Sequence, residues 1–152
     1  MKNKKIIGAL ALIATVGLSG CSTTQKASDS KFSLCQSKWG LTTISKQAID
    51  SSSYATEPYI IFDENGSFSG NFGCNTFFGT FYTKKQKLQL EYNGSTKRLC
   101  QTMDLENNFQ KSLKKGITNY EISDSTLILY AGNEEIFRFK YQGAVGKEEQ
   151  GE

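Results

Sequence analysis

Short apolar runs separated by turn residues predict an antiparallel β-sheet along most of the chain. Three pairs of runs flank polar turns: 59–62 with 67–72 about 63–66, 80–83 with 88–92 about 84–87, and 126–130 with 136–141 about Gly132-Asn133. Asn65-Gly66 between two apolar runs is the strongest short signal for a hairpin turn. A further short strand is predicted at 39–44, so the chain reads as hairpins built into one sheet.

The last run shows which face of the sheet is buried. Phe137, Phe139 and Tyr141 share one face, whereas Arg138 and Lys140 share the other. Alternation of this kind is typical of an antiparallel sheet with one face on the core and one in water.

Residues 103–115 break the strand pattern and predict the one helix. Leu105, Phe109 and Leu113 recur every four residues and therefore share a helical face. Thr102 is placed to cap the N-terminus, and Gly116 is placed to end the helix. The charges suit the helix dipole, with acids in the first turn and bases in the last: Asp104, Glu106, Lys111, Lys114 and Lys115.

The N-terminus has the pattern of an export signal. Three lysines in residues 1–5 precede an uncharged run at 6–16, which is too short to span a membrane but suits a signal peptide. The run ends in Leu18-Ser19-Gly20-Cys21, which resembles the bacterial lipobox. The sequence therefore predicts cleavage before Cys21 and lipidation of Cys21, which would anchor the protein stably at a membrane. The alternative is an ordinary secretory signal, with Cys21 as half of a disulfide.

The residues after Cys21 predict a tether and a sorting outcome. Residues 22–31 are polar and cannot bury enough surface to order themselves. Ser22 stands where an Asp would resemble an inner-membrane retention signal in Gram-negative bacteria. For a Gram-negative source, we therefore expect the periplasmic face of the outer membrane.

The charge distribution excludes bulk electrostatic binding of nucleic acid. The formal charge of the chain is +3, and Lys2, Lys4 and Lys5 are the only charged groups in residues 1–20. Without that segment the remaining chain holds 15 basic and 15 acidic groups. A balanced domain of this kind is not a nucleic-acid binder by its net field.

Residues 73–81 read Gly-Cys-Asn-Thr-Phe-Phe-Gly-Thr-Phe and carry a family resemblance. They resemble the Gly-Cys-Asn-x-aromatic-x-Gly-x-aromatic signature of the META domain, the family of HslJ-like bacterial lipoproteins. Further landmarks follow in the family's order: Trp39, Leu41, 66–70, 96–100, Glu106, Phe109, Leu113, Leu127 and Leu129. The resemblance covers residues 32–142. It divides the chain into a signal peptide (1–20), a tether (21–31), the META-like domain (32–142) and a disordered tail (143–152).

The resemblance implies a mainly β fold, namely a small antiparallel β-barrel of lipocalin-like topology with one packed α-helix. The family has no agreed enzymatic activity, and its members are linked to envelope integrity and stress response. The signature residues are expected to be structural: Gly73, Cys74, Asn75, Phe77 and Gly79. This chain departs from the family at Arg98, where Met is usual, and at the additional Cys35. Arg98 argues against a buried role for that position.

The cysteine pairing follows from the resemblance and from lipidation. With Cys21 acylated, three cysteines remain, so at most one bridge forms and one thiol is left over. Because both residues occupy family positions, the resemblance favours Cys74–Cys100. Two buried thiols, or a Cys35–Cys74 bridge, are the alternatives.

No catalytic residue, cofactor or metal site is predicted. The chain has no His, which removes Ser-His-Asp and Cys-His catalysis and the commonest zinc ligand. Residues 63–67 resemble half a calcium loop, but no bidentate Glu follows, and a hairpin turn explains them. Lys84, Lys85 and Lys87 could touch anionic headgroups, although a solvated turn is the simpler interpretation.

Two classes of function remain open. The first is a monomeric, non-enzymatic, lipid-anchored envelope protein that uses its surface to contact an unidentified envelope protein. The second is a carrier that holds a small apolar ligand inside the barrel, as eight-stranded barrels can. A cavity above roughly 300 Å³ would favour the carrier, whereas a solid core with exposed aromatic residues would favour the interaction module.

Overall fold

The computed structural model describes residues 32–100 and 103–146, which form one antiparallel sheet and one α-helix. The strands are β1 (Ser37–Ile44), β2 (Gln47–Ala48), β3 (Tyr59–Phe62), β4 (Ser67–Asn71), β5 (Thr76–Lys84), β6 (Lys87–Ser95), β7 (Asn119–Ser123), β8 (Thr126–Ala131) and β9 (Glu134–Ala144). The helix α1 (Asp104–Leu113) lies between β6 and β7 in the chain. The predicted signal peptide, the lipidation of Cys21 and the tether fall outside the described residues.

The sheet closes on itself. Its strands follow the order β2-β1-β3-β4-β5-β6-β7-β8-β9, and β1 also pairs with β9 along seven register positions. The narrowest join is between β6 and β7, which pair at one register position, Lys87 with Asn119. The mainly β, antiparallel, ring-closed fold with one packed helix confirms the expected fold class.

The three predicted hairpins are confirmed, because their turns lie between directly paired strands. Phe62 pairs with Phe68 around the first turn, Lys84 with Lys87 around the second, and Ala131 with Glu134 around the third. Left-handed backbone at these turns falls on Gly66, Lys85 and Gly132. Glycine adopts that conformation at no steric cost, which is why turn chemistry located the first and third hairpins from local sequence.

The helix is confirmed, with a shorter extent and a different start. The N-cap residue is Met103, which makes no side-chain capping bond, so the prediction of Thr102 as the cap is wrong. Thr102 itself lies outside the described residues. The prediction for the C-terminus holds, because Gly116 has φ +78° and its N–H donates to the carbonyl of Leu113.

Some elements were not predicted. The strand β7, the two-residue strand β2 and the short 3-10 helix Ser51–Ser53 have weak local patterns. The strand β5 begins at Thr76 rather than at 80, so the start of the signature is itself a strand. At the C-terminus, β9 reaches Ala144, which removes Gly143 and Ala144 from the expected disordered tail.

The interior of the ring is filled by aromatic and aliphatic side chains. Phe109, on α1, has its ring centroid 3.7 Å from that of Phe72, 5.1 Å from Phe77 and 5.0 Å from Phe137. Trp39 is fully buried, and its Nε1–H donates to the carbonyl of Leu34 at 3.0 Å. The helix therefore covers one end of the ring, and the side chain of Phe109 packs into the interior at that end. Among the described residues, no helix has the length and apolar character needed to cross a membrane.

Candidate functional site

The signature residues lie together at the end of the ring that α1 covers. Gly73 opens the turn between β4 and β5 with φ +93°, and a Cβ there would lie 2.6 Å from the ring of Tyr54. The backbone N–H of Gly73 donates to Oδ1 of Asn71 at 2.8 Å. A glycine is needed at Gly73 because both the conformation and the space exclude a side chain.

Asn75 is the centre of a buried hydrogen-bond network, and 2% of it is exposed. Its Oδ1 accepts from the hydroxyl of Thr96 at 2.8 Å and from the backbone N–H of Arg98 at 2.7 Å. Its Nδ2 donates to Oε2 of Glu106 at 2.9 Å and to the carbonyl of Arg98 at 3.3 Å. One side chain thus joins the start of β5, the segment that follows β6, and the first turn of α1.

Arg98 takes part in this network through its backbone. Its side chain is exposed, and its N–H and carbonyl both bond Asn75. The expectation that this position has no buried side chain is therefore confirmed. Any residue type except proline could supply these backbone groups, which explains why the departure from the family's Met leaves the network intact.

Two phenylalanines and two glycines interlock across β4 and β5. The register sets Phe68 opposite Gly79 and Gly70 opposite Phe77. A Cβ at Gly79 would lie 2.5 Å from Cζ of Phe68 and would overlap the carbonyl oxygen of Glu91. A Cβ at Gly70 would likewise meet the ring of Phe77 and the carbonyl oxygen of Tyr59. Each glycine thus makes room for the phenylalanine on the neighbouring strand.

The expected Cys74–Cys100 disulfide is present, with a Cα–Cα distance of 6.2 Å. It ties the β4–β5 turn to the segment before α1, beside the network of Asn75. This pairing excludes both alternatives, a Cys35–Cys74 bridge and a pair of buried thiols. Cys35 is itself disulfide-bonded, so the expectation of one leftover thiol is wrong.

Removing the bridge with Cys74→Ser and Cys100→Ser should lower the free energy of unfolding by about 3 kcal/mol. The bridge closes a 26-residue loop in the unfolded chain, and the variant regains that loop's entropy. Urea unfolding of both proteins without reductant measures the difference. A double variant within about 0.5 kcal/mol of the wild type would contradict a stabilising role for the bridge.

The signature residues are arranged to stabilise the fold rather than to catalyse a reaction. The buried Asn75 of the signature and the neighbouring buried side chains of Asn71 and Glu106 form hydrogen bonds with protein groups at close range. Sequence reasoning named Glu106 as a helix residue and a family landmark but missed its bond to Asn75. Asn71 was missed as a hydrogen-bonding residue, and the available signal was an amide directly before the Phe72-Gly73 turn.

The outer face of the sheet carries large exposed hydrophobic side chains. Phe78 is 51% exposed and Tyr82 is 44% exposed, and both project outward from β5. Leu99, in the segment after β6, is fully exposed. Exposed aromatic side chains on a closed sheet mark a surface that can bury them against a partner.

Polar groups cover the outer face of β7, β8 and β9. The hydroxyl of Tyr130 donates to Oε2 of Glu121 at 3.3 Å, and Arg138 makes two bonds to Glu135 at 2.9 and 2.7 Å. Desolvation, reinforced by the charge of Glu121, raises the pKa of Tyr130 above its usual range. The hydrogen bonds that Arg138 donates to the carboxylate of Glu135 raise the pKa of Arg138. The charged side chains named on this face are therefore hydrogen-bonded to one another.

A groove of about 210 Å³ lies on the outer side of β1 and β9. It is lined by backbone and side chains of Gly40, Leu41, Thr42, Ile49, Ser51, Glu57, Lys140, Tyr141 and Gln142. Beside it, Asp50 accepts from the hydroxyls of Ser52 and Ser53, which lowers the pKa of its carboxyl. The groove is outside the ring and separate from its aromatic interior.

Known families and solved structures resemble this chain along most of its length. The META domain family model matches residues 32–143. No curated protein matches the chain.

Three solved structures share the fold. One NMR structure of a protein has 22% identity and a TM-score of 0.52, and covers 69% of this chain and 88% of that chain. Another, of a protein from Burkholderia xenovorans, has 19% identity and a TM-score of 0.57, with coverages of 72% and 83%. The crystal structure of a DUF4847 family protein from Bacteroides vulgatus has 15% identity and a TM-score of 0.51, with coverages of 70% and 93%. The family match over most of the chain, with the signature forming one end of the closed sheet, means that this chain belongs to the META domain family.

Proposed function

We propose that this protein is a lipid-anchored, non-enzymatic META-domain module of the cell envelope that works through its outer surface. The observation that carries the proposal is the contrast between the two faces of the sheet. The inward face is packed with aromatic rings in mutual contact, whereas Phe78 and Tyr82 on the outward face are exposed. A partner surface therefore has more apolar area to gain from the outside of the domain than from its interior.

The packed interior argues against the alternative function, a carrier of a small apolar ligand. Phe72 stacks on Phe77 at 4.5 Å and touches Phe109 at 3.7 Å, and each of these three side chains is at most 3% exposed. The groove on the outer side of the sheet, at about 210 Å³, is smaller than the roughly 300–1,000 Å³ that ligand pockets usually hold. The carrier would need these rings to move apart.

The use of the signature supports a non-enzymatic role. Asn75 and Glu106 bond each other and the surrounding backbone, so their polar atoms are occupied in holding the fold. The family resemblance supports a role in envelope integrity or the stress response.

The export pattern of residues 1–20 and the lipobox before Cys21 support the anchor. Replacing Cys21 by Ala should move the protein from the membrane fraction to the soluble fraction, because the thioether cannot form. Cell fractionation measures the shift, and Ser22→Ala, which leaves the lipobox intact, serves as the matched control. A variant that stays with the membrane after a high-salt wash, which releases contacts made by surface charges, would refute the anchor.

The mass of the N-terminal peptide gives a second test of the anchor. The sulfur of Cys21 can carry a thioether or a disulfide, but not both. Because Cys74 pairs with Cys100 and Cys35 is disulfide-bonded, the anchor requires that the lipidated protein either lacks the Cys35 bond or forms it with a second molecule. A peptide that begins at Cys21 and carries the added mass of diacylglycerol supports the proposal. A Cys21 peptide bridged to the Cys35 peptide without lipid would overturn the anchor and favour the ordinary secretory signal.

A further inference from the structure

The β5–β6 hairpin ends in a group of exposed cationic and aromatic side chains. We call this group the lysine tip, and it consists of Tyr82, Lys84, Lys85 and Lys87. The three lysines are exposed, and Lys87 donates from Nζ to Oδ1 of Asn119 at 3.0 Å. Within the described residues, the ion pairs join Lys115 to Glu134 and Arg138 to Glu135. In the part of the chain that the structure describes, no carboxylate forms a salt bridge with the three positive charges of the lysine tip.

The turn itself does not account for a lysine at its centre. Lys85 has φ +57°, in the left-handed region that two-residue hairpin turns reserve for Gly, Asn or Asp. That conformation is sterically disfavoured for a residue with a Cβ. Gly or Asn would therefore form this turn more easily than Lys85, although the β1–β2 turn also holds a lysine, Lys46, in this conformation.

The lysine tip lies at the end of the ring where the chain enters from the N-terminus. The N–H of Gln36 donates to the carbonyl of Phe62 at 2.9 Å, which sets the entering chain beside the β3–β4 turn. That turn is in contact with β5, because the N–H of Phe81 donates to the carbonyl of Gly66 at 2.7 Å. Lys84 follows three residues later, about 10 Å further along the strand. The lysine tip thus projects past the β3–β4 turn on the side of the tether.

The tether restricts how far this end can be from the bilayer. Ten residues, 22–31, separate Cys21 from Phe32 and span at most about 35 Å when fully extended. A link of ten residues keeps the domain at a high effective concentration near the bilayer, so a weak surface affinity is enough to orient it. This step rests on the proposed anchor at Cys21.

The chemistry of the lysine tip matches a phospholipid surface better than a protein surface. Lysine is depleted at protein–protein interfaces, whereas lysines near an anionic bilayer each strengthen binding by about fivefold. Tyrosine is enriched at membrane–water interfaces because its ring is apolar and its hydroxyl is polar. Four acids lie at this end: Glu121 of β7, Asp63 and Glu64 before β4, and Asp124 after β7. Glu121 follows Tyr120, whose N–H donates to the carbonyl of Gln86, and its carboxylate accepts from the hydroxyl of Tyr130.

We infer that the lysine tip docks on the anionic phospholipid headgroups of the bilayer that anchors the chain. The lysines bind lipid phosphates, and Tyr82 enters the interfacial layer. This contact orients the domain with α1 and the signature end facing away from the membrane.

Vesicle binding tests the inference without the lipid anchor. The chain beginning at Ser22 is suitable, because all the strands that close the ring lie within residues 37–144. We expect it to co-sediment with phosphatidylcholine vesicles that contain phosphatidylglycerol, and not with phosphatidylcholine alone. Lys84→Gln, Lys85→Asn and Lys87→Gln together should weaken binding at least about tenfold, and Tyr82→Ser should weaken it less. Asn at position 85 suits the left-handed turn, so the triple variant keeps its fold.

A matched triple variant separates a local contact from total charge. Lys97→Gln, Lys111→Gln and Lys114→Gln remove the same charge at the opposite end of the ring and should leave binding within about twofold of the wild type. Equal losses in both triple variants, no loss in the first, or equal binding to neutral vesicles would each overturn the inference. Failure here with Cys21-dependent membrane fractionation intact refutes the docking contact alone. Vesicle binding as expected, together with membrane fractionation that does not depend on Cys21, refutes the anchor alone.

Discussion

Replacing Gly79 by Ala should lower the free energy of unfolding by about 4 kcal/mol, more than the usual 1–3 kcal/mol for overpacking a core. The added methyl group would overlap the carbonyl oxygen of Glu91 and lie 2.5 Å from the ring of Phe68. Phe68 is 1% exposed and packs against Phe62 and Phe77, so its ring has no free space to enter. The carbonyl belongs to the neighbouring strand and cannot shift without disturbing the β5–β6 pairing.

A second substitution can show whether the carbonyl oxygen of Glu91 or the ring of Phe68 is the main obstacle to a side chain at position 79. If the ring of Phe68 were the main obstacle, Phe68→Leu would rescue Gly79→Ala. Because the carbonyl of Glu91 remains, we expect the double variant to stay at least as unstable as Gly79→Ala. Gly70→Ala should cost a similar amount, since the carbonyl of Tyr59 and the ring of Phe77 occupy the equivalent positions.

Urea unfolding with matched controls measures these losses. Gly146→Ala is the control, because a Cβ there meets no atom within 4 Å and the variant should unfold within about 0.5 kcal/mol of the wild type. A Gly79→Ala protein as stable as this control would mean that β4 and β5 do not have the register that sets Phe68 opposite Gly79.

The same register shows what local sequence could predict. Asn65-Gly66 and Gly132-Asn133 located two hairpins because the signal of a turn lies within a few residues. The reason for Gly79 could not be read in this way, since Phe68 and Glu91 lie eleven and twelve residues away on other strands. The resemblance marked Gly79 as a family position, and only the pairing of strands gave its physical role.

Ring closure and the polar network around Asn75 depend on contacts between residues that are still farther apart in the sequence. Leu41 of β1 pairs with Phe139 of β9, and no periodicity within either strand identifies its partner. Asn75 reaches Glu106 across 31 positions. The pattern of alternating residues predicted which faces are buried, but contacts between distant segments decide which buried polar groups meet. The strand β7 was missed for a related reason, because it is short and its place is set by pairing with β8.

Replacing Asn75 by Asp should cost about 4 kcal/mol at neutral pH, although the two side chains have nearly the same shape. The change converts the amide that donates to Oε2 of Glu106 into a carboxylate oxygen at about 2.9 Å from it. Two carboxylates would then face each other in a site where Asn75 is 2% and Glu106 is 7% exposed. Leaving a buried charge without a compensating partner typically costs 3–5 kcal/mol. The hydroxyl of Thr96 and the N–H of Arg98 still donate to the other oxygen, so the loss comes from the Glu106 side.

The cost of Asn75→Asp should depend on pH with a definite sign. Facing carboxylates hold a shared proton more tightly in the folded protein than either does in the unfolded chain. The folded variant therefore binds more protons than the unfolded one between about pH 4 and 7, and its stability relative to the wild type should rise as the pH falls through that window. Asn93→Asp, at an exposed position of β6, is the matched control and should show a small and nearly constant difference.

Adding Glu106→Gln to Asn75→Asp should restore more than half of the lost stability at neutral pH. The glutamine amide can donate to the new carboxylate, which exchanges the direction of the hydrogen bond and removes the second charge. Urea unfolding of the wild type, both single variants and the double variant at pH 5 and 7 gives the coupling energy. If the two substitutions were additive at both pH values, the bond between Asn75 and Glu106 would not hold α1 to the signature. Strong coupling that weakens at pH 5 would identify this bond as the one that fixes the helix across the end of the ring.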